Sequence, residues 1–117
     1  IVRDKEGKMR ASLGMLGDRP CLWLLDAKGE ARASLAVLAD GSPSLWLSDA
    51  DGKTRAHLGM DADGSSYIEI CDKDGKTRAA LGVTNLEVTK TGATEKTAPS
   101  SLVLFDRDGK VIWSAPK

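Results

Sequence analysis

Rings and reactive side chains are scarce in this chain of 117 residues: three Trp, one Tyr, one Phe, one His and two Cys. Each shortage removes a class of function. Cys21, Cys71 and the single His57 stand at no metal-ligand spacing. No acid/base pair and no nucleophile–base arrangement is evident, so neither an enzyme nor a bound cofactor or metal is expected. Excess charge is absent too: 17 Lys plus Arg balance 17 Asp plus Glu. A nucleic-acid grip requires a basic surface, and so does a polybasic membrane contact, so neither partner is expected. No apolar run approaches the ~18 residues that span a bilayer. No initiator Met is present. The chain opens on Ile1-Val2, which reads as mid-strand, so a processed protein or part of a longer one is expected.

What the chain does have is a repeat. Aligned on Gly7, Gly29, Gly52, Gly75 and Gly109, five segments superimpose: VRDKEGKMRASLGM, LLDAKGEARASLAV, LSDADGKTRAHLGM, ICDKDGKTRAALGV and LFDRDGKVIWSAPK. The spacings are 22, 23, 23 and 34 residues, the last being one unit plus an insertion of eleven. An Asp precedes each of these glycines by three positions: Asp4, Asp26, Asp49, Asp72 and Asp106. Arg-Ala follows the first four glycines, and Leu13, Leu35, Leu58 and Leu81 lie six residues past them.

Within a unit the apolar period is two, the signal of a half-buried strand. Leu22/Leu24, Leu45/Leu47, Ile68/Ile70 and Leu102/Leu104 precede the turn. Ala11/Leu13, Ala33/Leu35, Ala56/Leu58 and Ala79/Leu81 follow it. The opposite parity carries Arg10, Arg32, Arg55 and Arg78, then Trp23, Trp46, His57 and Glu69. Each unit therefore reads as a β-hairpin with one apolar and one mixed face. No segment sustains a period of 3.6, so no helix is expected.

The Asp-x-Asp-Gly turns resemble a calcium loop only in part. An EF-hand loop carries oxygen ligands at positions 1, 3 and 5, Gly at 6 and Glu at 12. Counted from Gly52, positions 1 and 12 are Leu47 and Leu58; from Gly75 they are Ile70 and Leu81. The turn reading meets no such conflict: Asp caps its own turn, and Gly supplies the left-handed residue of a bulged hairpin. Gly52-Lys53-Thr54 and Gly75-Lys76-Thr77 lack the earlier Gly and the following helix of a phosphate-binding loop. His57 occupies the slot of Ser12, Ser34 and Ala80 and reads as a solvated face residue. The Arg ladder reads as a charge-paired surface. Trp23 and Trp46 share one repeat position and serve either to cover the sheet or form an oligomer contact, or to stack a glycan. The cysteines, four strands apart in a meander, are expected to be free thiols.

The insertion, residues 84–101, precedes a terminal hairpin in which Ile112-Trp113 replace Arg-Ala, as a capping repeat would. LEVTK within it reads as a strand, TGATEK as a turn or loop and APSS as a linker. The DxDGKxRAxLG hairpins, the segment VTNLEVTKTGAT and the terminus SSLVLFDRDGKVIWSAP resemble a group of bacterial repeat proteins. There such repeats follow a signal or membrane-anchoring segment and a coiled coil. The resemblance implies an exported, oligomeric stalk-and-head protein, extracellular or at the cell surface.

The expectation is one all-β domain over residues 1–117, built of about five antiparallel hairpins in a meander or solenoid. Its turns centre on Asp4/Gly7, Asp26/Gly29, Asp49/Gly52, Asp72/Gly75 and Asp106/Gly109. An apolar face of Leu and Ile on one side must be covered. The sheet coils on itself, or several chains converge on that face. The favoured form is a homotrimeric β-prism or β-helix, with a head-to-tail filament as the alternative. The expected function is structural, with self as the partner. The competing reading is a carbohydrate- or surface-binding module using Trp23 and Trp46.

Overall fold

The structure, a computed structural model, describes residues 1–82, 85–88, 93–96 and 101–116. It is all-β, with no helix among the described residues. Strands β1 (Val2–Arg3), β2 (Met9–Leu16), β3 (Arg19–Leu25), β4 (Ala31–Val37), β5 (Pro43–Ser48), β6 (Thr54–Met60), β7 (Ser66–Cys71) and β8 (Thr77–Gly82) follow one another along the chain. Then come β9 (Asn85–Val88), β10 (Ala93–Lys96), β11 (Leu102–Phe105) and β12 (Val111–Ala115). Ten of them form one antiparallel meander in the order β1-β2-β3-β4-β5-β6-β7-β8-β11-β12. The sheet is open and does not close on itself as a solenoid would. β9 and β10 pair only with each other. TGATEK is therefore not wholly turn or loop: its last four residues, Ala93–Lys96, are strand β10. A run of Thr and charge carries too faint a period-two signal to announce a strand. The linker reading of APSS falls, but for Ser101, on residues 98–100, outside the described residues.

The repeated turn explains the repeated sequence. In each unit the Asp carbonyl accepts a hydrogen bond from the Gly amide three residues on, as from Gly52 N to Asp49 O at 3.1 Å. The Asp amide in turn donates to the carbonyl four residues on, closing the hairpin. Asp49 Oδ1 accepts from the amides of Asp51 and Lys53, both at 3.0 Å. Gly52 sits at φ +81, where a Cβ would be strained. The strands rejoin through a bulge just after the turn, its extra residue being Arg32, Arg55, Arg78 or Ile112, opposite Leu25, Ser48, Cys71 and Phe105.

Arginine then clips consecutive units together. Arg32, Arg55 and Arg78 donate through Nε to the bulge carbonyls of Ser48, Cys71 and Phe105 in the next hairpin, at 2.8, 2.9 and 2.9 Å. Arg10 reaches Leu25 O at 3.3 Å. Each guanidinium also lies 3.4–3.7 Å from the turn Asp of its own unit. In the first four units the pair of turn Asp and strand Arg thus fixes both a turn and its junction to the neighbour. Ile112 stands at this position in the last unit, so β12 carries no clip.

Register places complete rows of side chains across the sheet. One face carries Leu13, Leu22, Leu35, Leu45, Leu58, Ile68, Leu81 and Leu102 in direct cross-strand succession. Beside that row, nearer the Asp turns, small and large alternate: Ala11, Leu24, Ala33, Leu47, Ala56, Ile70, Ala79, Leu104. The other face carries the row Ser12, Trp23, Ser34, Trp46, His57, Glu69, Ala80, Val103.

Candidate functional site

The two faces differ in burial, and the difference runs against their polarity. The fully buried residues, among them Cys21, Ser44, Ala80 and Val103, belong to the mixed face. The leucine face is open: Leu13 is 73% exposed, Leu35 47%, and Leu58 and Leu81 46% each. Leu24, Leu47, Ile70 and Leu104 are exposed as well, whereas Leu22, Leu45 and Leu102 lie lower between their neighbours. Among the described residues, no second layer packs against this face. It carries no charged side chain in either row.

Its relief is regular. A hollow of about 310 Å³ lies between Leu13 and Leu35, floored by Leu22 and rimmed by Pro20 and Pro43. A second, of about 240 Å³, lies between Leu35 and Leu58, floored by Leu45 and bordered by Pro43 and Met60. Post-turn strands thus raise a leucine ridge, and pre-turn strands leave the gaps between its teeth.

On the mixed face the side chains satisfy one another. Ser44, 3% exposed, lies with its Oγ 2.7 Å from His57 Nε2. The His57 ring stacks on Trp46 at 5.2 Å and 15° between planes, and meets Tyr67 edge-on at 5.2 Å. Gly59 makes room for this cluster. A Cβ there would stand 2.7 Å from Ser44 Oγ and 3.1 Å from both His57 Nε2 and Tyr67 Oη. Burial lowers the His57 pKa from its ordinary 6.5, with the Glu69 charge opposing. Burial raises that of Tyr67. His57 is therefore not the solvated residue its repeat slot suggested. Its partner Ser44 lies diagonally across the strand pair, next to Gly59, and the repeat alone gives no sign of that contact.

Trp46 gives one ring face to His57, so that face is not free to stack on a sugar. A groove of about 470 Å³ does run beside it, lined by Trp46, Lys53, His57, Glu69, Asp74 and Thr77. Trp23 does not line it; its ring leans over Gly14 instead. The two tryptophans share a row, but the groove beside Trp46 does not reach Trp23.

The turn carboxylates are committed to their own turns. Backbone amides hold the pKa values of Asp4, Asp26, Asp49, Asp72 and Asp106 below the ordinary 3.8, led by the amide four residues on. Asp40 is lowered through Ser42, whose hydroxyl and amide it accepts. Among the described residues no group of three His, Cys, Asp or Glu is arranged to hold a metal ion. The four clip arginines are likewise engaged by a carbonyl and a carboxylate. Both cysteines are free thiols. No protein-family model and no curated protein matches the chain.

Proposed function

We propose that this chain is a structural, self-assembling β-repeat protein whose working surface is the leucine face. One observation carries the reading: a ten-stranded single layer leaves two uncharged rows of Leu, Ile and Ala open to water. Nine gaps of ~4.8 Å and strands of about six residues at ~3.4 Å give a face of roughly 43 by 20 Å. That exceeds the largest apolar patch of an ordinary monomer, about 300–600 Å². It also matches the ~800 Å² per partner of a stable interface. Burying it stabilises by about 25 cal/mol per Å² of apolar surface.

Two closed arrangements bury the face: three copies around an axis as a β-prism, or two sheets face to face. Growth by edge pairing into a filament has less support, because the leucine face stays wet and Ile112 replaces the clip at β12. An exported stalk-and-head role rests on the resemblance of the repeats. The competing glycan reading has its support in the groove beside Trp46.

Mass in solution tests the proposal. Light scattering on the wild type is expected to give a multiple of 12.4 kDa. Leu58→Asp, which would bury an unpaired carboxylate, is expected to return the single-chain mass. A wild type that stays at single-chain mass at micromolar concentration contradicts the reading.

A further inference from the structure

This step rests on the reading that copies of the chain cover the leucine face, and it asks how they fit. The relief described above is not merely apolar; it is complementary to itself. Post-turn strands β2, β4, β6 and β8 each carry an Ala and a protruding Leu. Each pre-turn strand β3, β5, β7 and β11 carries a large residue beside the Ala of the flanking β2, β4, β6 or β8, and β11 meets Trp113 of β12 on its other side. On β3, β5 and β11 the leucine beside it also lies lower, as Leu22, Leu45 and Leu102. The main sheet has ten strands, five on either side of the gap between β5 and β6.

We propose that two copies pack face to face about a twofold axis parallel to the strands and passing through that central gap. Such an axis preserves position along the strands and reverses the order of strands across them. It therefore sets β6 against the partner's β5, β8 against its β3, β4 against its β7 and β2 against its β11. Every post-turn strand then meets a pre-turn strand. Leu58 enters the hollow over the partner's Leu45, and Leu81 the one over the partner's Leu22. In the neighbouring row Ala56 faces the partner's Leu47, Ala79 the partner's Leu24, and Ala33 the partner's Ile70. Knobs meet holes in both rows, as in aligned sheets that pack ~10 Å apart with strand directions within about 30° of each other. An in-register threefold axis parallel to the ridge would instead set equal residues at equal heights, so that tooth meets tooth. The contact is isologous and closes at two copies.

The test exchanges a knob and a hole between chains. Ala56→Leu alone sets Leu against Leu twice in the pair. It is expected to weaken the dimer Kd by about tenfold or more, since overpacking a meshed interface is unfavourable. Leu47→Ala alone leaves two voids and also weakens it. Mixed together, the two variants are expected to form a heterodimer in preference to either homodimer. In that pair each Leu again faces an Ala, and neither chain is repaired internally. Native mass spectrometry of the mixture, with one chain isotope-labelled, reads the preference. Circular dichroism of each variant checks that its sheet is intact, and the reciprocal pair Ala79→Leu with Leu24→Ala repeats the test at a second site. A statistical mixture at both sites overturns the mesh, as does an Ala56→Leu homodimer tighter than wild type. A wild-type trimer overturns the twofold axis while leaving self-assembly standing. A wild-type monomer overturns both.

Discussion

The leucine face and the mixed face are built on the same strands, yet their side chains find partners in different places. On the mixed face, bonds within one chain satisfy the polar groups: Ser44 with His57, and each clip arginine with a bulge carbonyl. On the leucine face no such partner exists within the sheet, and residues such as Leu58 remain about half exposed. An apolar row gains nothing from its own neighbours beyond lateral contact. It gains only when something is laid over it. One face therefore stabilises the chain, and the other, on the reading proposed above, is where copies associate.

Substitutions on the two faces should separate these roles. Leu58→Ala should have the largest effect, and only where chains associate. It should cost the assembly roughly 2–5 kcal/mol per site, as for other buried leucines truncated to Ala. The denaturation midpoint at high protein concentration should fall, while the dilute chain changes little. A drop independent of concentration would mean that Leu58 is buried within one chain.

His57→Ala should act in the opposite sense. It leaves Ser44, at 3% exposure, without its hydrogen bond and removes the stack on Trp46. A loss of about 1–3 kcal/mol is expected at every protein concentration, the usual cost of orphaning a buried polar group. Gly59→Ala should cost about 1 kcal/mol by crowding the same three side chains. Rescue of Gly59→Ala by Ser44→Ala, measured as a double-mutant cycle, would locate the strain at Ser44 Oγ.

The smallest effect is on pH dependence. The fold lowers the His57 pKa, so the unfolded chain takes up a proton first. The His57 contribution is complete above pH 6.5 and is lost as pH falls from there through the folded-state value. His57→Asn should flatten that part of the stability profile. The turn aspartates behave alike in a lower window. Their contribution is present above 3.8 and is lost as pH falls through their depressed folded values. Urea midpoints measured between pH 7 and pH 2 should therefore show two declines in the wild type and only the lower one in His57→Asn.

Much of this was legible in the sequence, for identifiable reasons. Asp49 and Gly52 announce their turn because its geometry needs those two residues. Leu58 and Ile70 announce their face because a strand alternates with period two. The Ser44–His57 contact was not legible. It is diagonal, depends on the register set by the bulge at Ser48, and involves the only His in a slot otherwise held by Ser or Ala. Nor could alternation tell an open layer from a coiled one, because both expose and bury the same parity. Strand β10 was missed because Thr94, Glu95 and Lys96 carry no apolar signal.

Hydroxyl-radical footprinting of the wild-type chain tests the central claim most directly, because it reads whether the leucine face is covered. Leu35, Leu58 and Leu81, about half exposed in the single sheet, are predicted to label slowly in the wild type and fast in Leu47→Asp. Fast labelling of all three in the wild type, at the rate seen in that variant, would contradict the account.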